Sequence, residues 1–168
     1  MKQLLLCLAA LLIFNVGMAQ DSESDISVYY LIRHAEKDRT DKTNKNPVLT
    51  QQGLSRALKW AEVFKDVNFD EVYSTDYSRT KQTAEPTAFK QKKTLKLYNP
   101  STLDIEAFKA QTRGKTILIV GHSNTTPVVT NKLLGEKKYK NMDDADNAGL
   151  YIVTIVKDKA VAQRLSIN

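Results

Sequence analysis

A chain of 168 residues contains only two histidines, and each directly follows a run that reads as a buried strand: YYLI before Arg33-His34, and TILIV before Gly121-His122. Short continuous runs of β-branched, aliphatic and aromatic residues ending abruptly in polar ones mark strands covered on both faces. Both imidazoles are therefore expected at the carboxyl ends of strands, which is the edge of an open α/β sheet where ligands bind. Two histidines so far apart in sequence could then converge on one pocket, the alternative being two loop histidines with only local hydrogen bonds. Arg33 lies beside the first. Arg79 falls near the start of the helix that follows a third strand, again on the same edge. A single cysteine, Cys7, forms no internal disulfide and no thiolate cage, so the chemistry must come from His, Ser, Thr, Arg or carboxylates.

Strands are expected over residues 26–32 (ISVYYLI), 69–74 (FDEVYS), 94–98 and 116–120 (TILIV), with a closing hairpin of 150–156 and 160–166. Helical spacing of Leu54, Ala57, Leu58, Ala61 and Phe64 predicts a helix over 51–65 capped by Thr50. Further helices are expected over 78–90, where Pro86 is read as a kink or restart, over 103–110, and from about Pro127 to a stop at Gly135. Alternating strands and helices predict an α/β fold. It is a three-layer αβα sandwich with a mostly parallel sheet and an antiparallel C-terminal edge.

The composition, with 42% hydrophobic and 26% charged residues, suits one folded domain and excludes wholesale disorder. Its beginning reads differently. Met1 and Lys2 precede an apolar run over residues 4–14, and Gly17 and Ala19 are the small residues a signal peptidase reads. The run falls well short of the roughly 20 residues a membrane span needs, so residues 1–19 are expected to be a cleaved signal peptide and 20–168 the domain. Lipidation at Cys7 is a weaker alternative, because that cysteine lies inside the apolar stretch. A periplasmic or secreted, cysteine-free protein with no stable membrane anchor follows. Its basic balance, +6 for the whole chain, could favour anionic substrates.

Three ordered segments, RHAEK at 33–37, STDYSRTKQTA at 74–84 and GHSN at 121–124, resemble the histidine phosphatase superfamily, whose fold is the phosphoglycerate-mutase-like one. A fourth, NPVLTQQG at 46–53, also fits. The resemblance implies that His34 is a nucleophile forming a phosphohistidine, that Arg33 and Arg79 clamp phosphoryl oxygens, and that His122 is a further donor to them. A neutral imidazole is required, and nearby guanidinium groups disfavour its protonation. Asn124 is a candidate substrate contact or a helix cap. The chain departs from the family in having Ala35 after the nucleophile and no glutamate in LYNPS at 97–101, which weakens mutase-type phosphoryl transfer. That leaves Glu36, Asp104 or water as the proton donor. Glu36 is first choice for its nearness to His34, with an ion pair to Lys37 or Arg39 as the competing reading.

The expected function is a cofactor-independent phosphatase acting on phosphomonoesters of small molecules or other phosphoryl-bearing substrates. A non-catalytic phosphate-binding module of the same fold is the alternative from another class. A serine hydrolase fails because GHSNT lacks the final glycine of a nucleophile elbow and no histidine follows Ser123. Metal-dependent hydrolysis lacks a ligand pattern, and Asp143, Asp144 and Asp146 read as a solvated turn. Nucleic-acid binding is not expected, because the lysines are dispersed and lack a stacking motif.

Overall fold

A computed structural model describes residues 26–167, so the expected signal peptide and Cys7 lie outside the described residues. The elements in chain order are β1 (Ile26–Arg33), α1 (Gln51–Val63), β2 (Glu71–Ser74), α2 (Ser78–Lys90), β3 (Leu95–Leu97), α3 (Ile105–Gln111), β4 (Thr116–Gly121), α4 (Thr125–Leu134), β5 (Gly149–Val156) and β6 (Lys159–Ser166). Every expected strand and helix is present. Thr50 caps α1 as expected, its hydroxyl accepting from the Gly53 N–H. Helix α2 runs through Pro86 as one element, with Ala84 and Ala88 packed against the sheet on either side of it.

Helix α4 begins two residues earlier than Pro127 suggested. Proline is tolerated throughout a first turn, since the N–H groups there have no intrahelical acceptor. Here Pro127 takes the third position, and the Ser123 carbonyl accepts instead from the Met142 N–H at 2.9 Å.

The six strands lie in the order β3-β2-β4-β1-β5-β6. The first four are parallel, and β5 and β6 run antiparallel to their neighbours, with β6 as the edge strand. Strand alternation divides the core. Tyr29, Leu31, Ile117 and Ile119 face Phe108 of α3 and Val129 and Leu133 of α4. Ile32, Leu118 and Val120 face Trp60 of α1, together with Phe64, and the alanines of α2. The sheet is thus covered on both sides, and the carboxyl ends of β1, β2 and β4 emerge side by side.

One close approach fixes the loop that carries His34. Gly53 packs its Cα against the backbone of Glu36, and a Cβ there would stand 2.2 Å from the Glu36 carbonyl oxygen. Neither partner is a side chain that can swing away. Gly53→Ala is expected to destabilise the fold by about 2 to 3 kcal/mol, as overpacking does where backbone must move. The midpoint of urea unfolding measures it, and an unchanged midpoint would show that the contact yields at no cost.

Candidate active site

Strand β1 delivers His34 to a cavity of about 530 Å³ at the sheet's carboxyl edge. The residue is 3% exposed. Its Nδ1 lies 2.7 Å from the carbonyl oxygen of Ala35, which can only accept, so Nδ1 carries the proton and the lone pair is on Nε2. The backbone around it is held on three sides. His34 N–H donates to the Gly121 carbonyl, Ala35 N–H donates to Thr83 Oγ1, and Asn147 Nδ2 donates to the His34 carbonyl. The Ala35 methyl is fully buried with Leu49 and Ala57, filling space that glycine would leave open.

Strand β4 brings His122 within 5.4 Å of His34, ring centroid to centroid. A guanidinium can only donate, so the 3.4 Å contact from Arg79 Nη2 makes His122 Nδ1 an acceptor. The proton then sits on Nε2, 2.9 Å from Thr75 Oγ1, and Thr75 in turn donates to Thr80 Oγ1. Tyr77 braces the pair: Arg79 lies 4.4 Å above its ring, and its ring meets His122 edge to face at 5.0 Å. Arg79 Nε and Nη1 have no acceptor among the described residues. Buried donors without partners are costly in an apo site and become favourable once an anion arrives.

Arg33 is also at this cavity, but its ends are committed. Nη1 donates to the carbonyls of Asp143, Asp144 and Asp146, and Nη2 pairs with the Asp144 carboxylate at 2.7 Å. Of its nitrogens only Nε lacks a partner. The expected phosphoryl clamp therefore divides: Arg79 has free donors, whereas Arg33 supplies buried positive charge and holds the loop of residues 143–147. That loop is more than a solvated turn, since its carbonyls converge on one guanidinium.

Neither expected carboxylic acid reaches the cavity. The Glu36 carboxylate accepts from Arg56 Nε of α1 at 2.7 Å, and it lines a second cavity rather than the first. Its partner is neither Lys37 nor Arg39, because α1 lies directly against the His34 loop. Asp104 caps α3, accepting from the N–H groups of Glu106 and Ala107, and is exposed. Asn124 lines the cavity with an exposed side chain that caps nothing. Tyr98, where a carboxylate was sought, is present instead. Burial raises its pKa, and a Cβ on Gly121 would come within 3.0 Å of its hydroxyl. Tyr77, Thr75, Thr80, Thr83 and Asn147 had not been singled out, and Asp144 had been read only as part of a solvated turn. Only the first four lie within a segment already picked as a motif.

Burial holds the His34 imidazole at a pKa of about 3, with Arg33, His122 and Arg79 pushing the same way and the Ala35 carbonyl opposing. Desolvation therefore outweighs the guanidinium charges that the sequence brought to notice. Burial, then Arg79, Arg33 and Lys37, lower His122 to about 4. Both rings are neutral at physiological pH. In the unfolded chain they titrate near 6.5, so as pH falls below 6.5 the unfolded state takes up protons that the folded state refuses. Stability is complete above that point and declines as pH drops toward 4 and 3, on the order of 1 kcal/mol per histidine per pH unit. The urea midpoint is expected to fall between pH 7.5 and 5.5, and to fall less in His122→Asn. A midpoint independent of pH over that range would mean the rings are not held neutral by the fold.

Comparison with known proteins agrees with this fold. The chain has the phosphoglycerate-mutase-like fold. It superposes on a phosphoglycerate mutase from Bacillus anthracis with a TM-score of 0.67 at 14% identity, covering 88% of this chain and 96% of the other. A phosphoserine phosphatase mutant from Entamoeba histolytica in complex with phosphoserine gives 0.62 at 17%, covering 82% and 95%. The protein histidine phosphatase SixA complexed with tungstate gives 0.66 at 15%, covering 83% and 96%. No curated protein matches by sequence. Residues 29–99 match the model of the histidine phosphatase superfamily (branch 1).

Proposed function

We propose that the protein is a phosphatase that hydrolyses phosphomonoesters, with His34 Nε2 as nucleophile and no cofactor. The observation that carries this reading is the state of His34: neutral through burial, with Nδ1–H bound to the Ala35 carbonyl, and placed beside an Arg79 that has unused donors. Nε2 attacks phosphorus, the N–P bond forms, and the ester P–O bond breaks with its electron pair leaving on oxygen. Arg79 stabilises charge on the phosphoryl oxygens, and its planar fork matches their geometry. His122, fixed by Thr75 and Arg79, lies against the same group. With Glu36 and Asp104 bonded elsewhere, water supplies the leaving group's proton. A second water then attacks the phosphohistidine, releasing inorganic phosphate and restoring the imidazole.

The solved relatives named for phosphoserine and tungstate are consistent with an oxyanion at this edge of the fold. Export to the periplasm or beyond belongs to the same proposal and rests on the sequence of residues 1–19. The test is to mix the protein with an aryl phosphate, quench in milliseconds, and recover phosphoprotein. Phosphate stable in alkali and lost in acid is the expected result. Phosphate stable in acid and lost in alkali would instead assign the nucleophile to a hydroxyl such as that of Ser123.

A further inference from the structure

The loop that follows His34 carries a cation with no hydrogen-bond or ion-pair partner among the described residues. Lys37 is part-buried, and its ammonium makes no hydrogen bond or ion pair among the described residues. Its backbone is pinned by an antiparallel bridge to Leu49, and the next residue, Asp38, donates its N–H to the Val48 carbonyl. The side chain therefore springs from a fixed point. It lines two cavities at once: the one that holds Arg79 and His122, and a second of about 590 Å³ that His34 also lines. His34, Lys37 and Asp144 are common to both, so the cavities share the wall these three residues form.

In the second cavity the other cations are satisfied. Arg56 is paired with Glu36, and Arg39 with Asp144 at 2.7 Å. The carboxylate that acts on Lys37, Asp144, is already bound by both Arg33 and Arg39. The ammonium is thus left among guanidinium groups. Partial burial, then Arg79 and Arg39, lower its pKa, while Asp144 opposes them. A cation placed where its surroundings disfavour charge is stabilised by an incoming anion more than an exposed lysine is. A phosphoryl group on His34 takes Arg79 on one side and faces Lys37 at the opening into the second cavity.

We infer that Lys37 forms a second anion subsite, and that the substrate is a phosphomonoester bearing another anionic group, a carboxylate or second phosphate, beyond its ester oxygen. This rests on the phosphatase reading for its orientation, but binding alone can test it. Benzylphosphonate and its 3- and 4-carboxy derivatives are non-hydrolysable probes that differ by one charge. Calorimetry at low ionic strength measures each against the native protein and Lys37→Met, which keeps the side chain's length and apolar stem.

The better carboxylated isomer is expected to bind native protein about tenfold more tightly than benzylphosphonate. In Lys37→Met that preference falls to about twofold or less, and benzylphosphonate itself weakens by less than about threefold. A native protein without the preference, a preference that survives in the variant, or equal weakening of all probes would overturn the inference. Circular dichroism verifies the variant's fold, and Lys37→Gln is the second form should methionine disturb it. The outcomes separate the two proposals. A protein that shows the preference yet hydrolyses no aryl phosphate keeps the subsite and loses the phosphatase reading. A protein that hydrolyses aryl phosphate without the preference does the reverse, and one that binds no phosphonate loses both.

Discussion

His34→Ala is expected to lower aryl phosphate hydrolysis by about 10,000-fold or more, because it removes the group proposed to form the covalent intermediate. The fold should tolerate the change. The backbone bonds that place residue 34 are made by its own N–H to Gly121 and its carbonyl from Asn147, and neither needs the ring. The side chain's single hydrogen bond is to the adjacent Ala35 carbonyl. Loss of the imidazole also removes one of the two groups whose pKa the fold lowers, so the variant should hold its stability better on mild acidification. Turnover number is the measurement, and equal rates for the two proteins would sink the nucleophile assignment.

Arg79→Ala is expected to cost about 100- to 1,000-fold in kcat/KM, the usual consequence of removing one preorganised donor from a charged transition state. Arg79→Lys should recover only a small part of that. An ammonium restores charge but not the fork, and it offers less to the ring of Tyr77 than a guanidinium stacked at 4.4 Å. The contrast with Arg33 sharpens the test. Arg33 is 2% exposed and bound to three carbonyls and a carboxylate, so Arg33→Lys should lower stability as well as rate. Arg79, with open donors, should lower rate alone. A loss below about threefold in Arg79→Ala would remove it from the oxyanion site.

The strands were legible because a sheet covered on both faces needs continuous apolar runs, and ISVYYLI and TILIV have no other simple reading. With those placed, the position of His34 and His122 at one edge followed from topology. Helix α2 was legible to the residue, while α4 was misjudged by two because proline is accepted at any place in a first turn. What sequence could not carry was the set of contacts made by carbonyl oxygens. The Asp143, Asp144 and Asp146 carbonyls converge on Arg33 from more than a hundred residues away, and a carbonyl has no signature in residue type. The same holds for Asn147, which supports His34 across a separation of 113. The partner of Glu36 was hidden for a related reason. Nearness in sequence suggested nearness to the nucleophile, yet α1 packs against that loop and Arg56 draws the carboxylate away.

The placement of β5 beside β1 has a temporal consequence. Arg33 and His34 leave β1 near the beginning of the domain, but their acceptors and their supporting amide belong to the loop that leads into β5. That strand lies inside the sheet, between β1 and β6, and not at its edge. A chain emerging from its amino end can pair β1 with β4 and cover both with helices while the catalytic floor is still open. Only when residues 143–156 arrive do the Arg33 guanidinium and the His34 carbonyl find their partners. Contacts of such long sequence separation form late and slowly. His34 is thus among the first side chains made and among the last whose surroundings are completed.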